Sequence, residues 1–145
     1  YAAIAEESFA EMEKRLVEGR KPSSDGKGWV LLFDPSQKSF KSALVYIIFS
    51  ALWLDAILHL RIADRHGKSQ SKEVDRKPYE EKLEILGISD EELSCSLAEF
   101  RKLRREIVHE KALFSQGEIR TEQDEAQKVR RLMQRIRQAL GETDH

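Results

Sequence analysis

With 145 residues the chain is long enough for one domain with a proper core, and a second independent domain is not expected. Charged residues make up 35% of it and glycine only 7 positions, with Leu, Ala, Glu, Lys and Arg prominent, which predicts an all-α domain over residues 1–145. A formal net charge of -1 excludes long-range electrostatic capture of nucleic acid, so any such affinity must come from a local basic cluster. The lone Cys95 excludes an intrachain disulfide, and with no signal-like amino terminus the expected compartment is the reducing cytoplasm.

Residues 2–18 place Ala5, Phe9, Met12 and Leu16 three and four apart with Glu and Lys between them, which predicts an amphipathic helix stopped by Gly19. Residues 19–28 carry turn formers and no apolar side chain, and read as a flexible loop. Trp29 through Phe33 has the composition of a short strand, but no second strand pattern offers it a partner and Asp34-Pro35 ends it. An extended segment packed on helices is expected there. Ser36 or Ser39 is positioned to cap a long helix reaching about His66, with Gly67 as its stop. From Ala43 to Phe49 that helix is apolar on every side, so it must be covered all round by other helices or by a second copy of the chain. A membrane span is the rival reading on length, and Asp55 and His59 interrupt the run before it reaches a clean transmembrane length.

Residues 67–77 read as a second flexible, solvated connection. Pro78 opens a short helix through Leu86, ended by Gly87. Ser89-Asp90-Glu91-Glu92 has the pattern of a capping box and opens the next helix. The last helix, about 122–140, has Thr121 at its cap position and buries Ala126, Val129, Leu132, Met133, Ile136 and Leu140. Lys128, Arg130, Arg131, Arg135 and Arg137 then fall mostly on its solvated sides.

On the helix after Ser89, an advance of about 100° per residue gathers Leu93, Leu97, Phe100, Leu103, Ile107 and Val108 on one face, with Arg104 near its middle. A guanidinium buried alone is strongly unfavourable, so Arg104 must meet a carboxylate, a wet cavity or a subunit interface that holds an anion. Asp55, inside an apolar run of its own, is the first partner to expect as buried polar support. A pair that merely orients helices is the plain structural alternative. His109 lies about 140° round the helix from Arg104, whereas Arg101, Arg105 and His109 rise along one side. One regular helix therefore does not bring Arg104 and His109 together. Either the helix loosens near Val108, or two chains each supply part of one site. A lone histidine near a helix end is more often a capping or solvated residue than a catalyst.

The segment Phe100-Arg101-Lys102-Leu103-Arg104-Arg105-Glu106-Ile107-Val108-His109-Glu110 resembles the motif of the HEPN superfamily, an arginine followed after four to six residues by histidine, late in a four- or five-helix bundle. With the long apolar helix before it and the amphipathic helix after it, the resemblance covers roughly residues 39–140. It implies a HEPN-like bundle around a long buried central helix. Many HEPN proteins are dimeric, metal-independent endoribonucleases of toxin, antiviral or RNA-processing systems, in which the motifs of both protomers face a shared cleft. Residue by residue, Arg104 matches the family arginine and His109 the histidine. Arg105 stands where the family often has Asn, Asp or His, and Lys111 where one toxin group has a tyrosine, so the resemblance to that group and to its nucleotidyltransferase antitoxin is weak.

Attack of a ribose 2′-hydroxyl on the adjacent phosphate needs a proton acceptor, a proton donor for the leaving oxygen, and positive charge on the crowded phosphate. The resemblance implies that two copies of His109 move the protons, while Arg104 holds phosphate oxygens and Arg105 assists. Single-stranded RNA would then be cut to a 2′,3′-cyclic phosphate. Arg101, Lys102 and Lys111 are placed to contact neighbouring phosphates, although a charge run is usually a solvated face. RNA and a second copy of the chain are the expected partners. His59, His66, His109, His145 and Cys95 show no zinc-ligand spacing, and no phosphate-binding glycine loop or Gly-x-Ser-x-Gly elbow is present, so no metal or other cofactor is expected. Two readings compete with the enzyme: a non-catalytic HEPN-like module that binds RNA, a nucleotide or a protein, and a structural helical adaptor.

Overall fold

The computed structural model describes residues 1–31, 38–108, 114–115, 118–119 and 122–142. Among them are six helices: α1 (Ala2–Glu18), α2 (Lys38–His66), α3 (Lys68–Glu73), α4 (Tyr79–Ile85), α5 (Glu91–Val108) and α6 (Glu122–Ala139). Two small hairpins complete them, β1 (Arg20–Pro22) with β2 (Trp29–Leu31), and β3 (Phe114–Ser115) with β4 (Glu118–Ile119). The protein is an all-α helical bundle.

α2, with 29 residues and a length of about 44 Å, is its axis. Ala43, Ile47, Leu54, Leu58 and Ile62 are fully buried along one side of it. α1 lies against the first half of α2, where the Phe9 ring meets Tyr46 edge-on at 4.9 Å. α6 runs beside α2 in the same direction, with Gln123 donating to the Ser39 hydroxyl at its start and Arg61 meeting Glu142 just beyond its end. α5 returns antiparallel to α6, so that Asp90 and Glu92 at its start face Arg135 near the end of α6. One core joins Phe9 and Met12, the α2 stripe, Tyr79 and Leu83, Leu93 to Leu103, and Val129 to Ile136.

α4 and α6 end alike. Gly87 and Gly141 take the left-handed conformation at φ 79° and 71°, and the N–H bonds Gly87 to Glu84, Ile88 to Leu83, Gly141 to Gln138 and Glu142 to Arg137 close each terminus. This is the Schellman arrangement, for which glycine avoids the Cβ penalty. The α4 terminus is tied to the end of α2 as well, because Arg65 Nη1 donates to the Leu86 carbonyl and His66 Nε2 lies 3.1 Å from the Ile85 carbonyl. Cationic or polar side chains there satisfy carbonyls that the helix leaves open.

Several expectations need correction. The loop over residues 19–28 supplies β1, which pairs antiparallel with Trp29–Leu31. Arg20, Lys21 and Pro22 are all exposed, so the strand carries no apolar alternation to be read. Residues 67–77 hold α3, anchored by buried Ser71 and Val74. Ser39 lies inside α2 and not at its cap, while Ser36 and Thr121 fall outside the described residues. At the start of α5 the cap is Asp90, whose Oδ1 accepts the Leu93 N–H at 2.9 Å, and not Ser89. Helices of the same chain do not cover α2 all round, which leaves cover by a second copy as the other alternative: Val45 and Leu60 are exposed, and Ile48, Phe49, Leu52, Trp53 and Ala56 only half-buried. By length and composition this helix is apolar enough to cross a membrane, with 39% of its most hydrophobic window buried inside the bundle.

Candidate functional site

Three helices converge on Arg104. It lies in the last turns of α5, whose buried stripe of Leu93, Leu97, Phe100 and Leu103 holds the helix against α2, α4 and α6. Arg104 Nη1 sits 3.1 Å from Asp55 Oδ2 at the middle of α2 and donates to the Tyr79 hydroxyl of α4 at 2.8 Å. Nη2 and Nε have no partner among the described residues. Tyr79 is buried, and its ring stacks on Phe100, one turn before Arg104, at 6.1 Å and 25°. Burial foremost, and then the neighbouring Asp55 carboxylate, push the Tyr79 phenol up to about 12, so it stays protonated and neutral beside the ion pair.

Arg104 and Asp55 are 37% and 38% exposed, so the pair is not the interior one that the helical wheel suggests. Periodicity reports the direction in which a side chain points and not how far its neighbours reach. Beyond Leu103 the cover thins: Ile107 is half-buried and Val108 is 59% exposed. An apolar-facing position at this end of α5 therefore opens on solvent.

Of the other proposed phosphate contacts, Arg101 Nη2 is held by Glu80 Oε1 at 2.9 Å, and Lys102 and Arg105 are exposed. Glu80 follows Tyr79 directly, so adjacent residues at the start of α4 hold two arginines one turn apart on α5. His109 and Lys111 lie outside the described residues. Tyr79 and Glu80 were not evident as site residues, because nothing local to them marks a partner 21 or 25 residues later.

His59 shares nothing with Asp55, although the two are one turn apart. Its Nδ1 lies 2.9 Å from Ser71 Oγ and 3.5 Å from Asp75 Oδ1. This is not a nucleophile and its base: Ser71 Oγ also lies 3.3 Å from Nε2, so it sits against the ring edge between the two nitrogens, its shorter contact is to the nitrogen that Asp75 approaches, and Ser71 is buried. A cavity of about 550 Å³ between α5 and α6 does not include Arg104; of its lining cations Lys128 meets Glu125 and Arg135 meets Asp90 and Glu92, while Arg131 is exposed. The other α6 cations are less solvated than expected: Arg130 and Arg137 reach Glu6 and lie over the Phe9 and Trp53 rings at 4.2 and 5.0 Å. No group of three potential metal ligands occurs among the described residues.

Comparison with protein-family models, with curated proteins and with solved structures returned no match. Fold and site together define an all-α helical bundle with an arginine held at its surface by an aspartate and a tyrosine.

Proposed function

We propose that the protein is a HEPN-like endoribonuclease that cuts single-stranded RNA by 2′-hydroxyl attack, acting as a homodimer in a toxin or defence system. The observation that carries this reading is the state of Arg104. One nitrogen is fastened from two sides, while Nη2 and Nε lack partners among the described residues in a pair that is more than a third exposed. An arginine whose only task is to join helices would be expected to be covered and saturated. Asp55 does not bar an anion from it, because exposed ion pairs contribute only about 0–1 kcal/mol and a phosphate can compete. On this reading Arg104 stabilises the charged phosphate, Arg105 assists, and His109 from each protomer transfers protons, without a metal.

The half-open face of α2 supports the homodimer. Val45, Ile48, Leu52 and Ala56 recur at helical spacing, and Asp55 lies beside them, so a second copy seated on this stripe would also border Arg104.

The test is product analysis after incubation with single-stranded RNA. The expected product carries a 2′,3′-cyclic phosphate, and His109→Ala should slow its formation by about 10² to 10⁴. Unchanged cleavage in a folded His109→Ala dimer refutes the catalytic assignment. The second reading, a non-catalytic module that binds RNA, a nucleotide or a protein, is favoured by the carboxylates on Arg101 and Arg104, which halve the local positive charge. It predicts salt-sensitive binding and no cyclic product at any protein concentration.

A further inference from the structure

The two residues that open α4 hold their arginines in different ways. Glu80 neutralises Arg101 with a carboxylate, whereas Tyr79 accepts an N–H from Arg104 with a hydroxyl that burial keeps protonated. Tyr79 therefore orients the guanidinium without cancelling its charge. The acceptor is rigid as well. Only 4% of Tyr79 is exposed, and its ring lies on Phe100 of the same helix that carries Arg104, which fixes the phenol oxygen relative to α5 itself. Asp55 alone would not do this, since a half-exposed carboxylate can be met by any of the five donors of a guanidinium.

The hydrogen bond to Tyr79 and the ion-pair contact with Asp55 both fall on Nη1. The remaining side-on edge of the planar group, Nε–H and one Nη2–H in parallel, is the fork that matches two oxygens of a phosphate. We propose that Tyr79 is a positioning residue: its hydroxyl sets the rotation of the Arg104 guanidinium so that the Nε and Nη2 edge is presented to a phosphate oxyanion. This rests on the phosphate-holding role given to Arg104 above, and it adds a residue on another helix that makes the role specific.

The test uses inorganic phosphate as the probe and the ¹⁵N-edited NMR signal of Arg104 Nε–H as the readout, in the full chain and in Tyr79→Phe. Phenylalanine keeps the ring and its stacking on Phe100 and removes the hydroxyl, with its bond from Arg104 and its contact with the Asp55 carboxylate. Phosphate should shift the Arg104 Nε–H signal of the unmodified protein, and Tyr79→Phe should weaken that binding by about tenfold, the scale of one hydrogen bond to a charged group. Glu92→Gln, at the opposite end of α5 where the partner is Arg135, should leave the phosphate affinity within about twofold. A phosphate affinity that Tyr79→Phe leaves unchanged overturns the proposal, whatever happens to the melting temperature. So does an Arg104 signal in the unmodified protein that phosphate does not move. No RNA is cut in this measurement, so absence of a cyclic product would remove the nuclease reading and leave the positioning result standing.

Discussion

The Arg104 and Asp55 pair separates a functional reading from a structural one through its energy. At 3.1 Å, two unit charges attract by about 1.3 kcal/mol in a water-like medium and about 5 kcal/mol at an effective dielectric of 20. Since both side chains are more than a third exposed, the water-like figure applies, reduced by the ordering of two side chains. A double-mutant cycle of Asp55→Ala and Arg104→Ala, followed by urea denaturation, should give a coupling of about 1 kcal/mol, worth about 3 °C in melting temperature for a chain of this size. The coupling should shrink as salt rises from 0.1 to 1 M, where the Debye length falls from about 10 to 3 Å. A coupling of 3 kcal/mol or more, insensitive to salt, would mark an interior pair that holds α2 to α5. Arg104 would then be a structural residue, and the basis for reading it as an anion-holding group would be gone.

Leu54→Ala, at a fully buried position in the middle of α2, should cost about 3 kcal/mol and lower the urea midpoint accordingly. Leu52→Asp, on the half-open face of the same helix, should shift sedimentation towards the monomer with a much smaller loss of stability; an unchanged sedimentation coefficient at micromolar concentration would remove the α2 stripe from the proposed interface. Gly87→Ala places a Cβ at φ 79° and should cost about 1 kcal/mol in thermal denaturation. Tyr46 and Tyr79 are each raised by burial to about 12 from an ordinary value of 10, so the folded state retains protons that the unfolded chain releases. The stability this confers is complete below pH 10 and is lost as pH rises towards 12. Absorbance near 295 nm should show both phenols ionising late, and Tyr79→Phe should remove one of them.

Where side chains repeat at helical spacing, the sequence was a sound guide. Phe9 and Met12, Leu93 to Phe100, and Val129 to Ile136 all enter the core as their positions imply, since an amphipathic stripe has only one way to be buried. Arg104 and Asp55 were each conspicuous as charges within apolar runs, and their meeting followed from the need of each for a counter-charge. Other features depend on tertiary contact. β1 has no apolar residue, and it becomes a strand only because Trp29–Leu31 lies beside it. Ser71 and Val74 look like solvated loop residues until α3 packs on α2. Tyr79 and Glu80 could be joined to Arg104 and Arg101 only after α4 was laid across α5, because a hydrogen bond between helices leaves no periodic trace.

The pairing of cations has a consequence for how this protein meets a charged ligand. Arg61, Arg101, Arg104, Lys128, Arg130, Arg135 and Arg137 each lie within ion-pair distance of a carboxylate, so these cations act as dipoles a few ångströms long and not as isolated ions. The field of such dipoles dies away within a few molecular contacts, well inside the Debye length of about 8 Å at physiological salt. A polyanion is therefore not drawn in from a distance. On the function proposed above it would be recognised on touching, one carboxylate displaced at a time, and discrimination between ligands would rest on local geometry at Arg104 and not on total charge.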